Sequence, residues 1–311
     1  MSDAPTISVV VALISGHSRA LRRCLAALST QRFDGSIEVL VPFDEACREV
    51  TSLAADFPRV RFLPAPGLDT THARKGYGRE HHDSLRTIGL RAATAPVIAL
   101  IEDHAYPADT WCAELMSALA RHPRAAALGG AVECDNRGIL GLAVWFCDFG
   151  RYQNPLPDAP AEYVSDSNVA YRRQALEQTA SAWADDYHET AVHGAMAAAG
   201  MELRTTPAPV VWQARSDIRW ASALTERYVW GRSYSGTRAR LIGGRRWLRA
   251  ALTPALPAVL TARSAQVTLA RGRGLSGFLR ACPAILALQT AWSLGELVGY
   301  VTASPGGHAG L

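Results

Sequence analysis

The segment Leu100-Ile-Glu-Asp-His-Ala-Tyr-Pro107 sets an apolar run directly before two carboxylates and an imidazole. Glu102, Asp103 and His104 carry donor atoms able to hold a divalent cation against a pyrophosphate. An acid pair at a turn or helix cap reads equally well from these residues alone. A second group, Asp185-Asp-Tyr-His-Glu189, opens a helical segment. Acids in a first turn suit the helix dipole, and a carboxylate there could also take the proton of a hydroxyl acceptor. His188-Glu-Thr-Ala-Val-His193 is not a zinc-protease motif. That motif needs His at i and i+4, whereas these lie five apart, about 140° around a helix. His81-His82-Asp83 reads as a solvated loop. Gly76 and Gly78 are followed by no Gly-Lys-Ser/Thr, which excludes a P-loop. Trp145, Phe146, Phe149 and Tyr152 read as core aromatics, with an acceptor platform as the alternative.

These residues need elements to hold them. Ile7–Ile14 is a continuous apolar run, as expected of a parallel strand covered on both faces. Ser18 can cap a following helix with Leu21, Leu25 and Leu28 at helical spacing. Further strands are predicted at Ile37–Val41, Val60–Leu63 and Pro96–Ile101, with a polar stretch over Asp69–Asp83 and an amphipathic segment over Ser84–Ala93. Strands alternating with helices predict a doubly wound α/β sheet, in which ligands bind beyond the carboxyl ends of the strands. Those ends carry Ser15, Asp44 and Glu102-Asp103-His104. The second half predicts a helix at Trp111–His122, a strand at Ala125–Val132, a Pro-rich loop at 150–162 and a helix from about Arg172. A helix at Asp186–Gly200 and a short strand at Val210–Trp212 follow, and the pattern turns helical and basic from Ala221.

Charge divides the chain more sharply than its formal net of +4 suggests. Residues 227–311 hold eleven Arg, no Lys and one acid, Glu296, a net of +10, so residues 1–226 carry −6. With 49% hydrophobic and 19% charged residues, the chain is not disordered. Six cysteines without a C-x-x-C pair argue against a disulfide scaffold or a zinc knuckle and favour a reducing compartment. No basic residue precedes the first apolar run, which reads as a strand and not a signal peptide. Residues 226–249 interleave seven Arg with Tyr228, Trp230, Tyr234 and Trp247. This is a solvated helix face, a diphosphate-binding lid using Arg232 and Arg238, or an interfacial membrane anchor. No recognition motif accompanies the charge, so no nucleic-acid partner is expected. Ala281–Gly295 is 15 residues without a charge, whereas spanning needs about 20. Extension to Ala303 takes in Glu296. A helical hairpin against a membrane surface is expected, with a homodimer interface or an extra core layer as the competing reading.

Taken in order, the motifs resemble a family 2 glycosyltransferase of the GT-A type, over roughly residues 5–240. The first strand and helix are followed by Glu38-Val-Leu-Val-Pro-Phe-Asp44, where the family has a strand ending in acids that contact the nucleotide base. Arg86-Thr-Ile-Gly-Leu90 resembles its arginine-containing helix, and Glu102-Asp-His104 resembles its D-x-D motif. Ser165-Asp-Ser-Asn-Val-Ala-Tyr-Arg-Arg173 is similar to its G-x-N-x-A-x-R segment near the acceptor. Glu189 stands eleven residues before Gly200, the family's spacing of catalytic carboxylate to helix-ending glycine. Trp212-Gln213 replaces a His that the family often has.

The resemblance implies a GT-A mixed sheet over residues 1–225, with a basic, apolar helical appendage over 226–311. It implies inverting transfer of a sugar from a nucleotide-diphosphate sugar to a hydroxyl acceptor on a lipid-linked or cell-envelope glycan. Ser15, Asp44, Arg86, Glu102, Asp103 and Arg232 would bind the donor, and Asp103 and His104 a Mg or Mn ion. Asn168 and Trp145 would meet the acceptor, and Glu189, or Asp186 or Asp185, would be the base. The expected location is cytoplasmic, at the inner face of the plasma membrane. A non-catalytic nucleotide-sugar-binding homologue and a soluble transferase whose tail only packs on the body are the rival readings.

Overall fold

The computed structural model describes residues 4–13, 18–45, 47–68, 80–215 and 218–304, with backbone alone at 48, 80, 81, 240 and 241. The chain forms two compact units. Among the described residues, the first comprises those from 4 to 68, 80 to 135 and 152 to 214, the second those from 136 to 151 and 215 to 304.

The first unit is a mixed sheet flanked by helices. Strands β1 (Ile7–Ala12), β2 (Ile37–Asp44), β3 (Val60–Ala65) and β4 (Val97–Glu102) are all parallel, in spatial order 3-2-1-4. Every residue of β1 and β4 is buried, the state their largely apolar sequences favour. Helix α1 (Ser18–Ser29) buries Leu21, Cys24, Leu25 and Leu28, a single stripe at helical spacing. The short helix α2 (Arg48–Leu53) links β2 to β3. Helix α3 (Glu80–Ala92) leads into β4. The order reverses direction between β1 and β4, which creates the crevice at the carboxyl ends where such sheets bind ligands.

The remaining strands extend the sheet antiparallel and parallel in turn. After β5 (Ala105–Pro107), α4 (Trp111–Arg121) and β6 (Ala125–Cys134) come α5 (Ile139–Asp148), β7 (Ala159–Pro160), β8 (Asn168–Arg172), α6 (Arg173–Gln178), α7 (Glu189–Ala198) and β9 (Glu202–Gln213). Strand β8 lies antiparallel between β4 and β6, and β9 runs parallel to β6 and takes β5 and β7 on its other side.

Several expectations are corrected. The short strand at Val210–Trp212 is the end of the 12-residue β9. Pro207 and Pro209 hid the rest, because proline donates nothing to a ladder, and here a register shift between Gly129 and Ala131 accommodates them. His81-His82-Asp83 is not a solvated loop but the first turn of α3, with His82 and Asp83 buried. The helix expected from Asp186 begins at Glu189, and Gly200, at φ +72°, follows its end. Helix α5 went unread in the sequence because its apolar residues leave no polar face to reveal a period.

The second unit is helical: α5, α8 (Trp220–Ile242), α9 (Arg246–Leu252), α10 (Leu256–Arg271) and α11 (Leu275–Thr302). Helices α8 and α11 meet backbone to backbone. A Cβ built at Gly231 would stand 2.2 Å from the Trp292 carbonyl oxygen, and one at Gly295 2.0 Å from that of Tyr228. One at Gly299 would fall 2.5 Å from the Arg232 oxygen. Glu296 is buried and accepts the Trp292 Nε1 hydrogen at 2.6 Å. Among the described residues, α11 alone is long and apolar enough to cross a membrane by length and composition.

Candidate functional site

The acids end where the sheet's crevice opens. Asp44 closes β2 and is buried; Glu102 closes β4, and the Asp103 amide continues the pairing by donating to the Ala12 carbonyl at 2.9 Å. Helix α3 sets the next residue. Its Gly89 leaves no room for a side chain, since a Cβ there would lie 2.2 Å from Val10 Cγ1. The helix therefore sits directly on β1, and one turn earlier Arg86 projects into the crevice. Its guanidinium reaches Asp83 at 3.2 Å, Glu102 at 3.3 Å and Asp166 at 2.9 Å. All four side chains are buried. Burial alone would lower the Arg86 pKa, but Asp166, Asp83 and Glu102 outweigh it and hold the guanidinium charged. The Arg86 head also lies 5.9 Å from the Tyr187 ring centre. Behind that ring, Tyr187 and His193 both hydrogen-bond the Tyr171 hydroxyl, each at 2.8 Å.

Glu102, Asp103 and His104 close on themselves. His104 Nε2 is 3.2 Å from Glu102 and Nδ1 is 3.3 Å from Asp103. Burial would lower the imidazole pKa, yet the Glu102 and Asp103 carboxylates raise it to about 9. Glu102 is driven the opposite way. Burial would raise it, but His104, Arg86 and the Gln213 amide, at 3.0 Å, hold it well below the carboxylate range. With both ring nitrogens on carboxylates, His104 turns no lone pair toward a cation. Gln213, where the resembled family often has His, serves as a neutral donor.

A cation fits one turn away. Asp83, Asp186 and His188 each offer one ligand atom, and these atoms lie within 4.8 Å of one another. His188 Nδ1 is 3.0 Å from Asp83, and Nε2 is 3.5 Å from Asp186. The His188 side chain is 53% exposed and can turn one nitrogen to an ion, which the buried His104 cannot. Three of the neighbouring buried carboxylates, Asp83, Glu102 and Asp166, share the Arg86 guanidinium. Helix α3 also holds this loop in place. Ser84 donates to Asp186 at 3.2 Å, Thr87 to the Trp183 carbonyl at 3.1 Å, and Arg91 to that of Ala184.

Glu189 opens α7, half-buried, and its Oε2 accepts the Asp166 amide hydrogen at 3.3 Å. Asp166 thus touches both Glu189 and Arg86. Asp186 is committed to Ser84 and His188, and Asp185 is exposed on the preceding turn. Asn168 is wholly buried. Its amide donates to the Ala131 and Pro209 carbonyls at 2.8 and 2.9 Å, and its oxygen accepts from Trp111 at 2.8 Å. It therefore knits β6, β8 and β9 together with both its donors spent. Trp145 and Arg232 belong to the second unit. Trp145 is buried edge-on to Phe146 with ring centres 4.8 Å apart, and the Arg232 backbone lies against Gly295 and Gly299. Ser15 lies outside the described residues. Asp83, Asp166 and His188 escaped the sequence reading as a set, because what joins them is Arg86 and the loop after residue 183.

No family model and no curated protein matches this chain. Among solved structures it is similar to residues 1–349 of TarS from S. aureus, at 12% identity over 91% of this chain and 90% of that one, with a TM-score of 0.47.

Proposed function

We propose that the first unit is an inverting glycosyltransferase that moves a sugar from a nucleotide-diphosphate sugar to a hydroxyl acceptor. The observation that carries this reading is the bridge made by Asp166. Its side chain pairs with Arg86 on the donor side of the crevice, and its backbone amide holds Glu189 on the other. Nucleotide and base are thereby given a common scaffold. The 3-2-1-4 strand order supports a nucleotide at the carboxyl ends, with Asp44 near the base and Arg86 near the diphosphate.

Glu189 is the general base of this reading. It is half-buried, it sits at a helix N-terminus and it accepts the Asp166 amide hydrogen. The acceptor hydroxyl, once deprotonated, attacks the anomeric carbon opposite the diphosphate, and that single displacement inverts the centre. Asp83, Asp186 and His188 would hold a divalent cation, which supplies positive charge against the leaving diphosphate. An imidazole in the donor set favours Mn over Mg. The acceptor class is a lipid-linked or envelope glycan, because the second unit's basic, apolar helices suit a peripheral position at the inner membrane face.

A thermal-shift screen of nucleotide sugars with Mn tests the reading. A donor at 100 times its Kd stabilises by about 2.7 kcal/mol. The shift is expected to persist in Glu189→Gln and to shrink in Asp186→Asn. A screen in which no donor stabilises the full chain overturns it. The closure of Glu102 and Asp103 onto His104 favours a second reading, donor binding without turnover. Single-turnover assays with the stabilising donor, read by NMR at the anomeric proton, separate the two.

A further inference from the structure

The exposed large apolar residues are concentrated in one unit. Of fourteen such residues among those described, all but Tyr163 lie in the second unit. On α11 they are Leu275, Leu279, Leu286, Leu294 and Val301. At about 100° per residue these fall within an arc of about 100°. The stripe runs from 275 to 301, about 39 Å at 1.5 Å per residue. The exposed residues between its members in that arc are Ser276, Pro283 and Thr290, so it carries no charge. A surface helix facing water places polar residues there.

The opposite face of α11 is already spoken for. Gly295 and Gly299 press on the α8 backbone, and Glu296 is buried on Trp292. A helix fixed along one side in this way presents its stripe sideways, lengthwise to whatever covers it. Charge identifies that cover. Residues 227–311 carry eleven Arg against Glu296 alone, and that acid faces inward. On α9 and the turn before it, Arg245, Arg246 and Arg249 alternate with exposed Trp247 and Leu248, and Arg246 stands 4.8 Å over the Trp247 ring. Trp beside Arg is the composition of a headgroup region. A second copy of this chain would bring two strongly positive surfaces together, which is repulsive.

We infer that the second unit docks on an anionic bilayer, with α11 lying flat in the interface and its Leu275–Val301 stripe entering the acyl boundary. The inference deepens the membrane position proposed above and rests on that reading for its biological setting, though not for its physics. Each arginine at the surface is worth about a fivefold change in partition.

The full chain is mixed with vesicles of phosphatidylcholine, with or without phosphatidylglycerol, and bound protein is measured by flotation. Binding is expected to phosphatidylglycerol vesicles at low salt, to weaken with added salt, and to be slight on phosphatidylcholine alone. Leu279→Gln with Leu286→Gln is expected to weaken it about tenfold or more, and Arg246→Gln with Arg249→Gln about 25-fold. Leu279, Leu286 and Arg249 are exposed and Arg246 is half-buried, so the folded body is expected to be retained, which a thermal melt of each variant verifies. No binding to phosphatidylglycerol vesicles overturns the inference, as does binding that both double variants leave unchanged. A dimer seen by light scattering that the leucine variant dissolves, without vesicle binding, assigns the stripe to a second copy and also overturns it. Flotation and donor-dependent stabilisation are separate readouts, so failure of the transferase reading is distinguishable from failure of this one.

Discussion

Arg86 and Asp166 face one another at 2.9 Å inside the crevice, and the amide of the same aspartate holds Glu189. The Arg86 guanidinium is shared among Asp83, Glu102 and Asp166 in this buried set. Replacing it with Met leaves three carboxylates without their common partner. Removal of one member of a buried pair costs about 3–5 kcal/mol, and a loss of that size is expected for Arg86→Met by denaturant titration. Arg86→Lys is expected to recover only part, since an ammonium is a point charge and cannot fork between acids.

Glu189→Gln keeps the side chain's shape and its bond from the Asp166 amide while removing its basicity. Turnover is expected to fall by about 10²–10⁴-fold, with donor affinity unchanged. The helix loses one first-turn charge, worth about 0.3–1 kcal/mol, so the melting temperature moves little. Steady-state kinetics beside donor titration checks both halves.

Stability should depend on pH through three buried histidines with opposite signs. Burial, aided by Arg86 in the first case, lowers His82 to about 4, and burial lowers His193 to about 4. The unfolded chain, with His near 6.5, then binds more protons than the folded chain between those values. Stability therefore falls as pH drops from about 6.5 toward 4. His104, raised to about 9 by Glu102 and Asp103 against its burial, behaves in reverse. Its contribution is complete below about 6.5 and fades as pH rises toward 9. Thermal melts across pH should peak near 6.5, and His193→Gln should make the acid limb shallower, the His82 part remaining, and leave the alkaline limb unchanged.

Gly89 positions Arg86 by its lack of a side chain. Gly89→Ala forces a methyl group onto Val10, and overpacking of this kind costs about 1–3 kcal/mol. Donor affinity should fall with it, because α3 carries Arg86 away from Glu102. Val10→Ala in the same chain makes room, so the double variant should regain donor affinity. Equal affinities in the two would refute the positioning role.

The parallel strands were legible in the sequence because burial on both faces demands unbroken apolar runs, as in Ile7–Ala12 and Val97–Glu102. Their terminal acids were legible for the same reason: a carboxylate directly after such a run must stand at the sheet's edge. The polar interior was not. His82 and Asp83 look like solvent residues until Glu102 and Asp166 arrive from distant segments to meet Arg86. Asn168 likewise looked like a ligand contact, and its role became clear only when the carbonyls of Ala131 and Pro209 were beside it. Long-range partners decide such residues, and sequence spacing does not record them.

The α8–α11 contact is made of main chain, and its consequence is genetic. A saturation library over residues 220–302 would return nearly empty columns at 231, 295 and 299. The outer stripe of α11 would tolerate wide replacement in any selection that does not require a membrane. Trimming a neighbour could not refill those empty columns: Ser235 Oγ also crowds position 299, but the carbonyl oxygens of Trp292, Tyr228 and Arg232 would stay in the way, and every amino acid brings those to the chain.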